Sequence, residues 1–310
     1  MAEISQHENL SSMKFIHPRY WLIWAGYVLL RLMSFLPFRV QVGLGRILGR
    51  VAILLSSQRR RIAMTNLRLC FPEWPEEKRR AMLWKHAEAL GICLFEFGIT
   101  WWWSDARFRP LVHIEGLDNL QEALKQGKGA ILLAAHFTTL EIVVRILKYS
   151  TGMHPMYRRH NNPLIDHIIT SGRVRHSGKA IPHDDARSLI RSLRANQPVL
   201  YIPDQNFGRK HCIFVPFFGI QTATLPATSR LAAIDNTPVL PIVPQRLPDY
   251  RGYRMVIEKP LENFPTENPE QDTIRINQLF EKQVRDNPAD YLWVHRRFKT
   301  RPEGAAPIYE

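Results

Sequence analysis

The stretch 129–141, Gly-Ala-Ile-Leu-Leu-Ala-Ala-His-Phe-Thr-Thr-Leu-Glu, decides the fold of this chain. Its six apolar residues, 130–135, run without interruption after a polar turn. A short apolar run of this kind predicts a strand that is buried on both faces, as in a parallel sheet. Thr138 and Thr139 are typical caps for the helix predicted to follow. The stretch therefore predicts a strand, a turn and a helix, with His136 at the carboxyl end of the strand.

His136 and Glu141 lie where open α/β sheets bind ligands, outside the carboxyl ends of the strands. Five helical steps would separate the two side chains by ~140°, so they meet only if His136 precedes the helix. Glu141 would then accept a proton from one ring nitrogen and leave the other free as a base. Neither Ser nor Cys stands beside the pair, which suits a donor that is already activated, such as a thioester, whose thiol (pKa ~8.5) leaves easily. The spacing equally fits a lone histidine with a local hydrogen bond.

The composition is that of a globular protein with a strongly basic balance. The chain has 310 residues, 45% of them hydrophobic, and 42 Lys and Arg against 28 Asp and Glu give a formal charge of +14. Such a charge indicates an acidic partner: nucleic acid, an anionic membrane face or an acidic protein. Cys70, Cys93 and Cys212 are far apart and form no CxxC pair. They predict core thiols rather than a disulfide framework or a zinc site.

The first third of the chain contains an apolar run at 20–38, with Trp and Tyr at its start and Arg31 inside it. It lacks the features of a cleaved signal peptide. It is long enough to span a bilayer, but it also fits an interfacial amphipathic helix or a buried core helix. We expect a single membrane anchor. The predicted organisation is a polar tail over 1–18, the anchor over 19–38, a helical region over 39–106 and a catalytic domain over 107–310.

Two further features of the helical region bear on the anchor. Gly43, Gly45 and Gly49 are spaced one residue too long for a dinucleotide-binding fingerprint, and Gly45 with Gly49 instead indicates close helix packing. The arginines at 59–61 follow an apolar helix. Beside a membrane anchor, this run is best interpreted as attracted to anionic lipid on the cytoplasmic leaflet.

From about residue 111 short strands alternate with helices, which predicts an α/β domain built on a mostly parallel, mixed sheet flanked by helices. Arg158 and Asp204 lie in polar loops that follow two of these strands. An arginine fork can bind two oxygens of a phosphate or carboxylate, and Asp204 can orient Arg158 or a substrate hydroxyl. Strands are predicted near 111–115, 130–135, 153–158, 198–202, 213–217, 239–243 and 252–258, and helices near 117–126, 138–149, 162–174, 184–195, 225–235 and 268–286.

Several stretches together resemble a known family. Residues 135–141, Ala-His-Phe-Thr-Thr-Leu-Glu, resemble the H-x4-D/E signature of the glycerolipid acyltransferases. The stretches His-Pro-Arg-Tyr-Trp at 17–21, Asn-Leu-Arg-Leu-Cys-Phe-Pro-Glu at 66–73, Asn-Pro-Leu-Ile-Asp at 162–166 and 293–304 are more specific. They resemble the late acyltransferases of lipid A biosynthesis, over about residues 17 to 304.

The resemblance implies a glycerol-3-phosphate acyltransferase-like fold and a single-pass enzyme of the cell inner membrane with a cytoplasmic catalytic domain. It implies transfer of a fatty acyl group from acyl carrier protein to a hydroxyacyl chain of Kdo2-lipid IVA, without a cofactor or a metal. By this likeness His136 is the general base and Glu141 its partner, and Arg158 and Asp204 are candidates for substrate binding. Glu at 141 replaces the Asp of the wider superfamily, and its longer arm changes the geometry of the pair.

Three rival functions share some of these features. One is a membrane scaffold without catalysis, for which an intact but inert His136 would be the sign. A lysophospholipid or glycerol-phosphate acyltransferase that uses acyl-CoA would have the same His136–Glu141 pair but gives no reason for the 293–304 stretch. A nucleic-acid-binding protein would explain the charge, but no helix-turn-helix, RNA-recognition or zinc-finger pattern is present. We therefore expect anionic membrane lipid, and no nucleic acid, as a partner of the basic surface.

Overall fold

The protein is described here from a computed structural model, over residues 12–149, 151–248 and 251–309. The predicted polar tail lies mostly outside these residues. The described helices are α1 Trp21–Met33, α2 Phe38–Leu55, α3 Ser57–Cys70, α4 Glu76–Trp102, α5 Asp105–Phe108, α6 Leu117–Lys125, α7 Leu140–Leu147, α8 Pro163–Ser177, α9 Ala186–Arg194, α10 Ala227–Ala233 and α11 Pro269–Asp286. The strands are β1 Val112–Glu115, β2 Ala130–Leu133, β3 His154–Tyr157, β4 Ile181–Pro182, β5 Pro198–Tyr201, β6 Ile213–Phe217, β7 Ile220–Thr224, β8 Val239–Arg246 and β9 Tyr253–Ile257.

Seven of these strands form one mixed sheet in the order β1-β9-β8-β2-β5-β3-β4. Strands β8, β2, β5, β3 and β4 are parallel, whereas β9 is antiparallel to β8 and parallel to β1. This confirms the predicted fold class. The carboxyl ends of β2, β5 and β3 consequently lie side by side at one edge, where the sequence places His136, Asp204 and Arg158.

Strand β2 lies at the centre of the sheet and is buried along its whole length. Its alternate side chains, with those of 134 and 135, enter two different cores. Ile131, Leu133 and Ala135 belong to the core on one face, and Ala130 and Leu132 belong to the core on the other. A strand covered by helices on both faces has to be apolar at every position, which is why the run 130–135 shows no alternation.

The N-terminal helices pack on each other through glycine. An added Cβ at Gly49 would lie 1.9 Å from the carbonyl oxygen of Ala87, and one at Gly91 would lie 1.9 Å from that of Gly45. Helices α2 and α4 therefore approach so closely that a side chain cannot fit between their backbones. This confirms the predicted packing role of Gly45 and Gly49.

The predicted elements of the α/β domain match the observed ones within a few residues, with two differences. Strand β6 pairs with β7 in a separate antiparallel hairpin and is not part of the seven-stranded sheet. The sequence analysis did not predict β7 or the two-residue strand β4. Both are short, and β7 is rich in Thr and Ala rather than in large β-branched residues, so neither produces a strong strand pattern.

The apolar run at 20–38 does not form one continuous helix. Helix α1 covers 13 residues and ends at Met33, four residues before Pro37, which stands at the N-cap of α2. Within the described part of the chain, no single helix has both the length and the apolarity needed to cross a bilayer. One pair of helices, α2 with α3, meets the criterion jointly, with a bend of 97° between them.

Candidate active site

His136 lies on a turn between β2 and α7, three residues after the strand ends. Its side chain is partly exposed, and its backbone is fixed from two sides. The Leu292 N–H donates to the His136 carbonyl oxygen at 3.0 Å, and the next residue, Phe137, forms an isolated bridge with Tyr291. The imidazole is therefore presented to solvent at the carboxyl edge of the sheet from a backbone that is held in place.

The carboxylate partner of His136 is Asp204, which follows β5. One Asp204 oxygen contacts His136 Nδ1 directly, and the other accepts the His136 backbone N–H at 3.0 Å. Burial alone would raise the pKa of Asp204, but attraction to His136 and the hydrogen bonds from His136 outweigh it and hold that pKa below its ordinary value. Asp204 is thus a carboxylate that accepts the Nδ1 proton and leaves Nε2 with its lone pair.

Glu141 has different partners from those the sequence predicted. It is buried on the first turn of α7, where Arg173 Nη2 donates to Oε2 at 2.8 Å and Trp101 Nε1 donates to Oε1 at 3.1 Å. The physical reason is direction: once α7 begins at Leu140, the Glu141 side chain points into the contact with α4 and α8, away from the turn. The structure therefore does not bring His136 and Glu141 into a hydrogen bond, and a catalytic role for Glu141 stays a prediction.

Arg158 follows the carboxyl end of β3 and is exposed. Within the described residues its guanidinium makes no hydrogen bond or ion pair, so its five donors remain available. It does not contact Asp204, because that carboxylate is already occupied by His136. The predicted substrate-binding roles of Arg158 and Asp204 stay predictions, and Asp204 lies against His136 rather than beside Arg158.

The backbone of the His136 turn offers few donors for an oxyanion. The N–H of His136 donates to Asp204, that of Phe137 donates to the Ala135 carbonyl at 2.8 Å, and that of Thr138 donates to the Asp290 carbonyl at 2.8 Å. All three amides are therefore occupied. With these amides occupied, the guanidinium of Arg158 offers donors that no described residue uses.

Sequence reasoning missed two groups of residues around the site. Arg173 lies one helical turn after Ile169, on the same face of α8. This spacing could have predicted that Arg173 lies on the buried, apolar face of that helix. Asn206 and His295 form the second group: the Asn206 N–H donates to His295 Nε2 at 3.1 Å. Burial lowers the pKa of His295 to about 4, so its ring is neutral near pH 7 and can accept this bond.

An apolar cavity of about 410 Å³ lies next to the Glu141 cluster, between α1, α4 and α8. Trp101 belongs to both, since its ring lines the cavity and its Nε1 donates to Glu141. Gly26 lines the cavity from α1, and a Cβ added there would meet no atom within 4 Å. The cavity has the size and the lining of a site for a hydrocarbon chain.

The described residues offer no alternative centre based on cysteine or metal. Cys70, Cys93 and Cys212 are free, and burial raises the pKa of each thiol, that of Cys93 to about 12, so none resembles an activated nucleophile. Over 12–149, 151–248 and 251–309, no three His, Cys, Asp or Glu side chains are grouped so that they could hold a metal ion.

Comparison with known proteins places this chain in a family. The model of the bacterial lipid A biosynthesis acyltransferase family matches residues 9–300. A solved structure of the 1-acyl-sn-glycerophosphate acyltransferase from Thermotoga maritima covers 82% of this chain and 99% of its own, with a TM-score of 0.39 and 15% identity. That score is too low to support a comparison of the two sites.

Curated relatives match over nearly their full length. The lipid A biosynthesis palmitoleoyltransferase of Escherichia coli K12 is 38% identical over 96% of this chain and 97% of its own. The lauroyltransferase of the same strain is 37% identical over 95% and 96%, and its myristoyltransferase is 29% identical over 96% and 92%. The chain belongs to the bacterial lipid A biosynthesis acyltransferase family, and it is an enzyme whose reaction class is acyl transfer.

Proposed function

We propose that this enzyme transfers a fatty acyl group from an acyl carrier protein thioester to the hydroxyl of a hydroxyacyl chain on Kdo2-lipid IVA, with His136 as the general base. The observation that carries the proposal is the contact of His136 Nδ1 with the buried Asp204, which leaves Nε2 as a free base at the carboxyl edge of the sheet.

The proposed reaction needs no nucleophile from the enzyme. Nε2 of His136 takes the proton of the acceptor hydroxyl while that oxygen attacks the thioester carbonyl carbon. The tetrahedral intermediate then breaks its C–S bond, and the departing sulfur takes the proton from Nε2. Asp204 accepts the Nδ1–H throughout and stabilises the imidazolium that forms between the two transfers. The histidine returns to its starting state, and atoms and charge balance.

The oxyanion of that intermediate requires donors that are not already used. We propose that Arg158 supplies them, because the amides of the His136 turn are occupied by Asp204, Ala135 and Asp290. Glu141 is proposed to act indirectly. It fixes Arg173 and Trp101, and through Trp101 it fixes the wall of the cavity.

We propose that the apolar cavity between α1, α4 and α8 receives the acyl chain of the donor. Its lining is almost entirely hydrocarbon and aromatic, and it lies beside the turn that follows β2 through the Trp101–Glu141 contact. The relatives named for palmitoleoyl and lauroyl transfer are 38% and 37% identical to this chain, so overall similarity does not choose between these chain lengths. Residues that shape the cavity are better candidates for that choice.

The N-terminal helices are proposed to hold the enzyme on the cytoplasmic face of the inner membrane. Large apolar side chains of α1 and α2 are exposed, among them Leu22 at 85% and Leu55 at 83%. A surface of this kind on a water-facing protein marks an interaction with another apolar phase. Arg61 lies nearby on α3 and is exposed, which suits attraction to anionic lipid headgroups.

A transfer assay tests the proposal. Purified enzyme is given Kdo2-lipid IVA or a lysophospholipid as acceptor, and acyl carrier protein thioesters or acyl-CoA of ten to sixteen carbons as donor. We expect product from the thioesters of acyl carrier protein on Kdo2-lipid IVA. Transfer to lysophospholipid from acyl-CoA, with none to Kdo2-lipid IVA, would contradict it.

The same assay tests the cavity. Gly26→Met places a side chain into open space within the cavity, so we expect the preferred donor to become shorter by at least two carbons. Gly43→Met is the matched control, because Gly43 is also a helical glycine with no atom within 4 Å of an added Cβ but does not line the cavity. An unchanged preference in Gly26→Met would remove the cavity from the proposal.

A further inference from the structure

Arg246, the last residue of β8, is a mostly buried cation that the proposed reaction does not use. Its Nε and Nη2 lie 2.7 and 2.6 Å from the two carboxylate oxygens of Glu96. Glu96 lies in the middle of α4, and its side chain is completely buried. This two-point contact joins β8 to α4 and fixes the plane of the guanidinium.

The remaining nitrogen of Arg246 is directed to the turn that carries His136. Nη1 donates to Thr138 Oγ1 at 2.8 Å and also contacts the Asp290 carboxylate. The Thr138 hydroxyl in turn donates to Asp290 Oδ1 at 3.0 Å. Arg246 therefore pairs with two buried acids, Glu96 and Asp290, and bonds directly to a residue two positions after His136.

Besides the contacts of His136 with Asp204, two backbone bonds tie the turn to the C-terminal segment. Residues 136–138 belong to neither β2 nor α7, and they are bonded to the C-terminal segment by Thr138 N–H to the Asp290 carbonyl and by Leu292 N–H to the His136 carbonyl. Both bonds depend on where Asp290 and its neighbours lie. The Asp290 side chain is held by Arg246, Thr138 and Asn287. A displacement of Arg246 would therefore move Asp290 and Thr138, and with them the backbone of His136.

We propose that Arg246 is a positioning residue for the general base: held by Glu96, it locks Thr138 and Asp290 together and so fixes the His136 turn against the C-terminal segment. A base that is misplaced by about 1 Å loses on the order of a hundredfold in rate, so such a lock has catalytic value. The inference depends on the proposed function in one respect, namely that His136 is the base.

The most specific variant is Thr138→Val, which keeps the shape of the side chain and removes the hydroxyl that joins Arg246 to Asp290. We expect kcat to fall about tenfold to a hundredfold, with KM for both substrates within twofold, and Thr138→Ser to restore kcat to within threefold of wild type. Arg246→Lys, which cannot hold Glu96 at two points, should lose activity similarly. Thr228→Val is the matched control, because Thr228 is buried and its hydroxyl has no partner among the described residues.

Hydrogen–deuterium exchange gives a readout that does not depend on activity. In Thr138→Val we expect faster exchange in peptides that cover 134–141 and 288–294, with unchanged exchange elsewhere and a melting temperature within a few degrees of wild type. A residue that only supports the fold would accelerate exchange across the sheet and lower the melting temperature, and that result would overturn the proposal.

The outcomes separate the two claims. Wild-type kcat in Thr138→Val, with or without faster local exchange, would overturn the positioning role. If wild-type enzyme transfers no acyl group at all, the proposed function fails, and the exchange experiment alone then decides whether Arg246 holds the turn: local acceleration supports it, and unchanged exchange in both Thr138→Val and Arg246→Lys overturns it.

Discussion

Two buried carboxylates lie on either side of the same turn, and their partners make them chemically different. Asp204 is 1% exposed and contacts His136, whose side chain is 24% exposed. Glu141 is 2% exposed and contacts Arg173, which is 23% exposed. The surroundings are thus nearly equal, yet histidine can exchange a proton near neutral pH whereas a guanidinium cannot. One pair can perform acid–base chemistry, and the other can only hold a position.

The comparison also shows that closeness in sequence does not determine which groups meet. Glu141 is five residues from His136, and Asp204 is 68 residues away. Glu141 does not meet His136, because α7 begins between the two residues and turns the glutamate toward α4 and α8. Asp204 does meet His136, because β2 and β5 are adjacent parallel strands. Leu133 lies opposite Tyr201, so both strands end at the same level of the sheet edge.

Matched amide substitutions test the difference between the two carboxylates most strongly. Asp204→Asn keeps the shape but removes the charge that holds the Nδ1 proton, so we expect kcat to fall about a thousandfold to ten-thousandfold. Glu141→Gln leaves Arg173 without a charged partner, and we expect a loss of about tenfold to a hundredfold together with lower thermal stability. Initial rates and melting temperatures of both variants provide the measurement.

A larger loss of kcat in Glu141→Gln than in Asp204→Asn would show that the pairing of His136 with Glu141, predicted from the sequence, forms during the reaction. Equal and complete losses in both variants, with unchanged melting temperatures, would show that Glu141 takes part directly in the chemistry. Either result would break the distinction between a proton-exchanging pair and a positioning pair.

Gly172→Ala is a smaller perturbation of the contacts that hold Glu141. An added Cβ there would lie 2.4 Å from two atoms of the Trp101 ring, so Gly172→Ala has to displace the ring that donates to Glu141. We expect a loss of stability of about 1–3 kcal/mol and a change in donor chain-length preference, measured by denaturant unfolding and by the transfer assay. Gly43→Ala adds the same methyl group in open space and should change neither.

The last prediction concerns the pH dependence of stability rather than the two carboxylate pairs. Burial lowers the pKa of His86 and of His295 to about 4, from an ordinary value of 6.5. Between pH 6.5 and pH 4 the unfolded chain therefore binds more protons than the folded chain. The free energy of unfolding consequently falls as the pH falls from 6.5 toward 4, by about 1.4 kcal/mol per pH unit for each histidine. Above pH 6.5 these two histidines do not change it. Asp204, whose pKa is lowered on folding, loses its contribution at still lower pH.

Melting temperatures measured from pH 7 down to pH 2 check this order. His86→Gln should flatten the decline between pH 6.5 and 4 without moving the further loss at lower pH. An equally steep decline in the variant would contradict the assignment of that range to buried histidine.

The fold class could be predicted from the sequence because its decisive signals are local. The unbroken apolar run at 130–135 predicted the central strand, Gly45 and Gly49 predicted the close approach of α2 and α4, and loops at strand ends predicted where His136, Arg158 and Asp204 would lie. Each of these inferences depends on one residue pattern and one geometric rule. The relation between His136 and Asp204 was missed because it requires the strand order, which no local pattern specifies.

The same limit explains the other omissions. Arg173, His295 and Arg246 act through partners that are 32, 89 and 150 residues away, respectively, along the chain. A single arginine or histidine in a helix or loop looks like any other until the tertiary contacts are known. The apolar run at 20–38 was predicted as one element, and its division at Pro37 into α1 and α2 follows from the inability of proline to continue a helix.

The central claim is that His136 is the general base and is oriented by Asp204. Its most direct test compares His136→Ala with wild type in acyl transfer from acyl carrier protein thioester to Kdo2-lipid IVA, with exchange and melting temperature recorded beside the rates. The account predicts a loss of at least a thousandfold in kcat with the fold unchanged. Transfer at the wild-type rate by a folded His136→Ala enzyme would contradict it.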